Sequence, residues 1–319
     1  MHGFVVIDKP AGITSHDVVS AVRRICRLKK VGHTGTLDPF ATGVLPVALG
    51  EGTKAIPFLD ESIKKYRAVM RLGEVTDTQD CTGTIQRTAP WHDITLTALQ
   101  NLLPLFTGQI TQIPPMFSAI KKDGVPMYRL ARAGISVERE PRRVTIHHIE
   151  IEQFAPPEVT FTVSCSPGTY VRTLAEDLGE QLGCGAHLTE LRRTASGIFT
   201  IDNARSIPEF QQQVEKGVQN AWLMPLSAAL GHIQELALNE NGFRKVGKGI
   251  SPNRADFENA DQVVCVGSRV RLTWRNELLA VAEVSEENRC NGGKWLDLLR
   301  VFNVLYPLHG DAVVLNNKA

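Results

Sequence analysis

The feature of this 319-residue sequence with the most direct route to chemistry is a lone acid set among glycines. The run Gly32-His33-Thr34-Gly35-Thr36-Leu37-Asp38-Pro39-Phe40-Ala41-Thr42-Gly43 holds three glycines and one carboxylate in twelve residues. Glycines allow backbone conformations that a Cβ resists and a close approach to a ligand, while Pro39 restricts Asp38 to an extended geometry. A carboxylate on such a stiffened loop is either a turn acid bonded to its own backbone or a reactive group. Two more residues bear on the choice. Arg172 falls in the first turn of an expected helix, where a cation opposes the helix dipole, so a carboxylate is its natural partner. Tyr66 lies on the apolar face of an alternating segment, either as a core residue with its hydroxyl at the edge or as a functional phenol.

The elements that must position these residues can be read from periodicity. Phe4-Val5-Val6-Ile7 is a short apolar strand stopped by Pro10 and Gly12. Thr14 and Asp17 have capping-box spacing, and Val18, Val19, Val22, Ile25 and Cys26 supply a helical stripe. That stripe leaves Arg23, Arg24 and Arg27 off the buried face, with Lys29 and Lys30 at the end of the helix, directly before the Asp38 loop. Val44 to Leu49 reads as a buried strand. In Ile63 to Leu72 the side chains of Tyr66, Ala68, Met70 and Leu72 share one face. Residues 96–106 are helical until Pro104 kinks or ends them. Val159 to Cys165 alternates as a strand, a turn follows at Pro167-Gly168, and a helix runs from about Tyr170 to Gly183. His187 to Gly197 is an apolar and basic strand-like piece, and residues 203–230 are helical and connective.

Composition narrows the class of function. Net charge is +1 and charged residues make up 22% of the chain, as in an ordinary globular protein. Length predicts two domains. No apolar run approaches the ~18–20 residues of a membrane span, and the N-terminus lacks signal-peptide character, so a cytoplasmic protein without membrane association is expected. The six cysteines form no C-x-x-C pair, and neither they nor the nine histidines have zinc-ligand spacing; no metal is expected, and the cysteines are expected reduced and mostly buried. Charge is uneven, however. Residues 20–30 hold five basic side chains and no acid, and residues 121–143 hold seven basic and three acidic ones. Two such patches are either solvated faces or a localised polyanion site. From Ile113 to Arg143 prolines and glycines break the chain repeatedly, and Met116, Phe117, Met127 and Tyr128 interleave with Lys121, Lys122, Arg129 and Arg132. This suits a surface that closes over nucleic acid, and also a long loop packed by its own apolar residues. Beyond residue 231 a helix near Glu240–Lys248 precedes expected strands at Val263–Val266, Val270–Trp274, Leu278–Val284 and Trp295–Val301, with a hairpin turn at Arg275-Asn276. Short strands at this spacing predict a small β-barrel.

Taken in order, these motifs resemble the TruB family of pseudouridine synthases. The likeness rests on Asp8-Lys9-Pro10-x-Gly12, the loop from Gly32 to Gly43, Lys65-Tyr66-Arg67, Gly168-Thr169-Tyr170-x-Arg172-Thr173, and Gly183 to His187 continuing to Arg193. It covers residues 3 to about 230, and the tail is similar to the family's PUA domain by position and strand content. The fold the resemblance implies is α+β: a mixed, mainly antiparallel pseudouridine-synthase sheet with flanking helices over 1–231, an RNA-clamping insertion at about 117–143, and a PUA-like RNA-binding barrel over 232–319.

The reaction implied is isomerisation of uridine to pseudouridine in the T loop of tRNA, at position 55, with no cofactor. By resemblance Asp38 is the nucleophile, Arg172 its partner holding the pKa down, Tyr66 the residue stacked on the base and active in proton transfer, and Leu191 an apolar wall. His33 would occupy the space of the flipped base, Tyr170 would contact substrate, and Arg23, Arg24, Arg27, Lys121 and Arg132 would grip phosphates. The implied partner is the tRNA T stem-loop, met by a monomer without an obligatory protein partner. Thr36, Phe40 and Phe117 depart from the family's usual residues without touching the proposed chemistry. Three other readings stay open: a guide-RNA-dependent synthase, an RNA chaperone or binding module with a vestigial loop, and a hydrolase, which would need a second positioned carboxylate.

Overall fold

In the computed structural model of the chain, the described residues are 1–118, 121–122, 124–135, 137–218, 222–259, 263–285 and 295–303, with the backbone of 307–308 and 311–312. The side chains of Lys121 and Arg132, two of the expected phosphate contacts, lie outside this set. The chain opens with strand β1 (Gly3–Lys9) and helix α1 (Ser15–Cys26). The capping box is formed: the Thr14 hydroxyl accepts from the Asp17 N–H, and the Asp17 carboxylate accepts from the Thr14 N–H. Val18, Val19 and Val22 are buried, and Arg27 closes the helix in the left-handed region at φ 53°. Strands β2 (Val31–His33) and β3 (Thr42–Leu49) then bracket the Asp38 loop.

A short helix, α2 (Gly52–Ala55), leads to β4 (Lys64–Leu72), which carries Tyr66. The hairpin β5 (Glu74–Thr76) and β6 (Ile85–Thr88) encloses a turn at residues 77–84. Helix α3 (Leu96–Leu102) gives way to a 3-10 turn at Leu103–Phe106, so Pro104 does end the helix. After β7 (Gly108–Gln112) the described residues of the insertion include β8 (Lys121–Lys122), β9 (Val125–Pro126) and α4 (Met127–Arg132). Strands β10 (Arg142–Ala155) and β11 (Glu158–Cys165) return to the sheet, followed by α5 (Val171–Gln181) and β12 (Ala186–Ser196).

These strands build one sheet in the order β1-β3-β12-β4-β11-β10-β7, with β2 added on β3 and β13 (Phe199–Thr200) on β12. Every pairing is antiparallel except β3 with β12. The mixed, mainly antiparallel α+β sheet expected from the sequence is therefore what forms. Its core includes Val18, Val22, Leu45, Met70, Phe161, Leu174 and Leu178, where the apolar stripes of α1 and α5 meet the strands.

Connecting helices α6 (Ile207–Glu215) and α7 (Leu226–Ala229) precede a second sheet of β14 (Gln234–Ala237), β15 (Arg269–Trp274), β16 (Glu277–Val284) and β17 (Leu296–Val301), against which α8 (Glu240–Gly247) packs. Arg275 and Asn276 turn the hairpin with φ of 52° and 65°. The expected strand at Val263–Val266 does not form. Val263 and Val266 are 84% and 61% exposed, without a face to bury, and Gln234–Ala237 takes the parallel place beside β15 instead. No helix among the described residues is long and apolar enough to cross a membrane. Five described cysteines are free, but only Cys165 and Cys184 are buried, while Cys81 and Cys265 are exposed. Neither exposed thiol sits in a strand, so neither inherits the burial that its apolar character invites.

The two sheets share a core. Phe4, Val6, Val44 and Phe199 from the first pack with Leu278, Val281 and Phe302 from the second, and the Asn303 N–H donates to the buried Glu51 carboxylate at 2.9 Å. Removing a fully buried phenyl ring from this seam should cost about 3–5 kcal/mol. Phe302→Ala is therefore expected to lower stability by that amount in chemical denaturation and to do so in a single transition that includes the first sheet.

Candidate active site

The Asp38 loop is fixed from three directions by groups that address its backbone. On the α1 side the Ser15 hydroxyl accepts from the Leu37 N–H at 2.8 Å and donates to the Leu37 carbonyl at 3.1 Å. From β1, the fully buried Lys9 ammonium donates to the carbonyls of Pro10, Pro39 and Ala41 at 2.9, 3.1 and 2.6 Å. Burial pushes Lys9 down to about 8. From β12, the Arg193 guanidinium donates to the carbonyls of Val44, Gly35 and Thr36. Of the three loop glycines only Gly43 adopts a positive φ, at 99°. A Cβ there would lie 2.2 Å from the Arg193 carbonyl oxygen, so the close approach inferred from sequence is to a neighbouring strand.

With its backbone held, the loop presents the Asp38 carboxylate to Arg172. The guanidinium is only 3% exposed; its Nε lies 3.0 Å from Asp38 Oδ2. Nη1 donates to the Thr78 carbonyl at 2.8 Å and meets Asp80 Oδ2 at 3.4 Å, and Nη2 donates to the Phe117 carbonyl at 2.9 Å. The cation at the start of α5 thus has the carboxylate partner that its position demanded, and a second one besides. Asp80 escaped the sequence reading. It belongs to Asp77-Thr78-Gln79-Asp80-Cys81-Thr82-Gly83, which reads as ordinary turn chemistry, and its Oδ1 does accept from Thr78 and Thr82. The signal was an acid with hydroxyls on both sides, which leaves its second oxygen free to reach elsewhere. Phe117 contributes its carbonyl, so the unusual side chain there leaves the clamp intact.

Arg172 does pull the Asp38 pKa down as expected, but it does not win. Burial raises it first; Arg172 and Lys9 pull it down, Asp80 pushes it up, and the balance lies above the ordinary carboxylate value of 3.8. Asp38 remains one-third exposed to the cavity, so water still screens part of its charge.

That cavity measures about 270 Å³ and is lined by Asp38, Tyr66, Arg172, Tyr170, Leu191 and Arg193, among others, just below the ~300–1,000 Å³ of small-molecule pockets. Tyr66 comes from β4 and Leu191, 8% exposed, from β12; the alternation that puts Tyr66 on the apolar face also aims it here. Burial pushes the Tyr66 phenol up, against the opposing pull of Arg193. Tyr170 stands immediately before α5, half-buried, and burial raises its pKa also. Glu61 is the other acid among the described residues of the lining, and Lys64 holds it at 3.2 Å. Asp8 is taken by Arg192 and Glu176 by Gln79. The second free carboxylate that a hydrolase would use is therefore not among the described residues of the lining.

His33 ends β2 just outside the lining, half-buried, with its Nδ1 unpartnered and its pKa lowered mainly by burial. Arg23, Arg24 and Arg27 gather at the end of α1 and none reaches the cavity. They sit upstream of the loop as sequence reasoning placed them, with Arg23 more buried than its neighbours.

Comparison with known proteins then decides the family. Residues 23–171 match the profile described as TruB family pseudouridylate synthase (N terminal domain), and residues 172–231 match the tRNA pseudouridylate synthase B C-terminal domain. The chain belongs to the TruB family. Among its relatives, the tRNA pseudouridine synthase B of Geotalea uraniireducens (strain Rf4) is 52% identical over 305 residues, covering 95% of this chain and 98% of the relative. That of Geobacter sulfurreducens (strain ATCC 51573 / DSM 12127 / PCA) is 52% identical over 304 residues, covering 95% and 100%. Among solved structures, a Cbf5-Nop10-Gar1 complex contains a chain with a TM-score of 0.70 and 27% identity, covering 94% of this chain and 84% of that one.

The raised Asp38 carboxyl has a stability consequence. A carboxyl whose folded pKa exceeds its unfolded value stabilises the fold while protonated, and that contribution is lost as pH rises through the folded pKa. At pH 7 the ionised Asp38 is thus a burden that its neutral isostere lacks. Asp38→Asn is expected to raise the thermal midpoint at pH 7, and the gain should shrink towards zero as the pH is lowered to about 4, near the unfolded value; calorimetric scans of both proteins across this range measure it.

Proposed function

We propose that this TruB-family enzyme isomerises uridine to pseudouridine at position 55 in the T loop of tRNA, acting alone. The observation that carries the mechanism is a single cavity in which Asp38, 3.0 Å from the Arg172 guanidinium, shares the walls with Tyr66 and Leu191. A stacked uridine cannot reach such a recess, so the nucleotide must be flipped out at a cost of a few kcal/mol. Leu191 and the Tyr66 ring would receive the two faces of the base. Asp38, kept ionisable by Arg172, would act as the nucleophile at the sugar or the base. The N1–C1′ bond breaks, the base turns, and C5 bonds to C1′; the proton then lost from C5 is balanced by one gained at N1. Tyr66 is the group placed to move it. His33, next to the cavity, would occupy the place that the base leaves, and Tyr170 would contact the extruded nucleotide.

Several observations support the substrate. The relatives at 52% identity are named tRNA pseudouridine synthase B and match this chain over nearly its whole length. The likeness to the Cbf5 chain, a member of a multi-protein complex, is at 27%, so the stand-alone reading is preferred to a guided one. Arg23, Arg24 and Arg27 end the helix that leads into the loop, a placement suited to phosphates beside the flipped nucleotide. The insertion and the C-terminal unit, divided at about residue 231, would extend the grip.

Purified protein should convert a bare T-stem-loop transcript, and a strict need for added proteins and guide RNA would sink the stand-alone reading. Asp38→Asn should bind that transcript with near-normal affinity and form no product, which separates an enzyme from a binding module. For the basic helix end, joint replacement of Arg23, Arg24 and Arg27 by Gln should reduce the log–log salt slope of binding by about 2–3; an unchanged slope would place the phosphates elsewhere.

A further inference from the structure

Arg193 is a buried cation at the site to which the reaction above gives no task. Its side chain is 1% exposed. A guanidinium has five N–H donors in one plane and no acceptor. Here Nε donates to the Val44 carbonyl at 2.7 Å, Nη2 to Gly35 at 3.1 Å and Nη1 to Thr36 at 3.4 Å. Three donors are thus spent on carbonyls that flank Asp38 on both sides, and two remain.

The sheet register shows what Arg193 stands beside. Strand β12 runs between β3 and β4, and Arg193 stands opposite Gly43 on one side and opposite Tyr66 on the other. The Tyr66 and Arg193 side chains both line the cavity, and the charge on Arg193 acts on the Tyr66 phenol. A guanidinium can only donate, so wherever the two side chains meet, the phenol oxygen is the acceptor. The other charged or titratable groups facing Tyr66 are Asp38 from the loop and Cys165 from β11.

We propose that Arg193 is a positioning residue for the reaction: one rigid guanidinium fixes both arms of the Asp38 loop and the orientation of the Tyr66 hydroxyl, and so sets the nucleophile and the proton-transfer group against each other. A cation at this place also favours the phenoxide over the phenol, opposing what burial does. Lysine would keep the charge, but a single nitrogen cannot span two loop arms and the phenol together. The inference rests on the role given to Tyr66 above.

The test uses the full-length enzyme carrying Arg193→Lys, with Arg193→Gln as a second variant, each also in a Tyr66→Phe background. Single-turnover rates are measured on tRNA transcripts carrying hydrogen or deuterium at C5 of uridine. We expect Arg193→Lys to slow product formation about 100-fold and to bind tRNA within about threefold of the parent. The C5 isotope effect should grow, and in the Tyr66→Phe background the same substitution should cost less than about threefold more. An equal cost in both backgrounds, or a slowed reaction with an unchanged isotope effect, would overturn the inference while leaving Tyr66 its role. A loss explained wholly by tRNA affinity, or failure of both variants to fold, would overturn it too, making Arg193 a residue of binding or of the fold. Wild-type turnover by Tyr66→Phe alone would instead overturn the role of Tyr66, and this inference with it.

Discussion

A buried guanidinium between two carboxylates governs the arrangement of this protein. Arg172 can be nearly sealed from water only because Asp38, Asp80 and the carbonyls of Thr78 and Phe117 surround it. A guanidinium buried here with no carboxylate left beside it would cost several kcal/mol, so the suppliers must be delivered accurately. The suppliers come from three separate stretches, the loop between β2 and β3, the turn inside the β5–β6 hairpin and the base of the insertion, and α5 brings Arg172 itself as the fourth. The sheet order, the hairpin and the entry of the insertion all follow from bringing these four to one point.

The same arrangement explains how a carboxylate can be poised without being lost. Burial favours the protonated acid and Arg172 favours the ion; Asp80 takes part of the guanidinium's attention and prevents Arg172 from quenching Asp38 altogether. The Lys9 and Arg193 side chains fix the loop by its backbone oxygens, so the fixing does not occupy the Asp38 carboxylate.

Much of this was legible in the sequence because it is local. The capping box of α1, the break at Pro104, the turn at Arg275-Asn276 and the alternation that aims Tyr66 each depend on a few adjacent residues. The mismatch between Arg172 and the dipole of its helix predicted a carboxylate partner from one residue's position. Asp80 stayed hidden because its role depends on a contact 92 residues away, and the hydroxyls on both sides of it show that one oxygen is spare without showing what that oxygen meets. The direction of the Asp38 pKa shift was missed for a similar reason: a partner can be read from a pattern, but the depth of a cavity cannot. Val263–Val266 misled because β-propensity cannot tell whether a sheet edge is waiting.

The pairing of β3 with β12 carries a further consequence, for the order of assembly. It is parallel, and it joins residues far apart in the chain, as the 149-residue separation between Val44 and Arg193 records. A ladder of this kind cannot grow from a hairpin, and closing so long a loop is slow compared with local pairing. On the ribosome, the loop bearing Asp38 emerges early and has β1 and β2 as partners of β3, yet its contacts to Arg172 and Arg193 wait until α5 and β12 have been synthesised. The Asp38 site is therefore among the last parts of the first sheet to be completed, and a chain interrupted before β12 would hold the loop without Leu191 and Arg193 beside it.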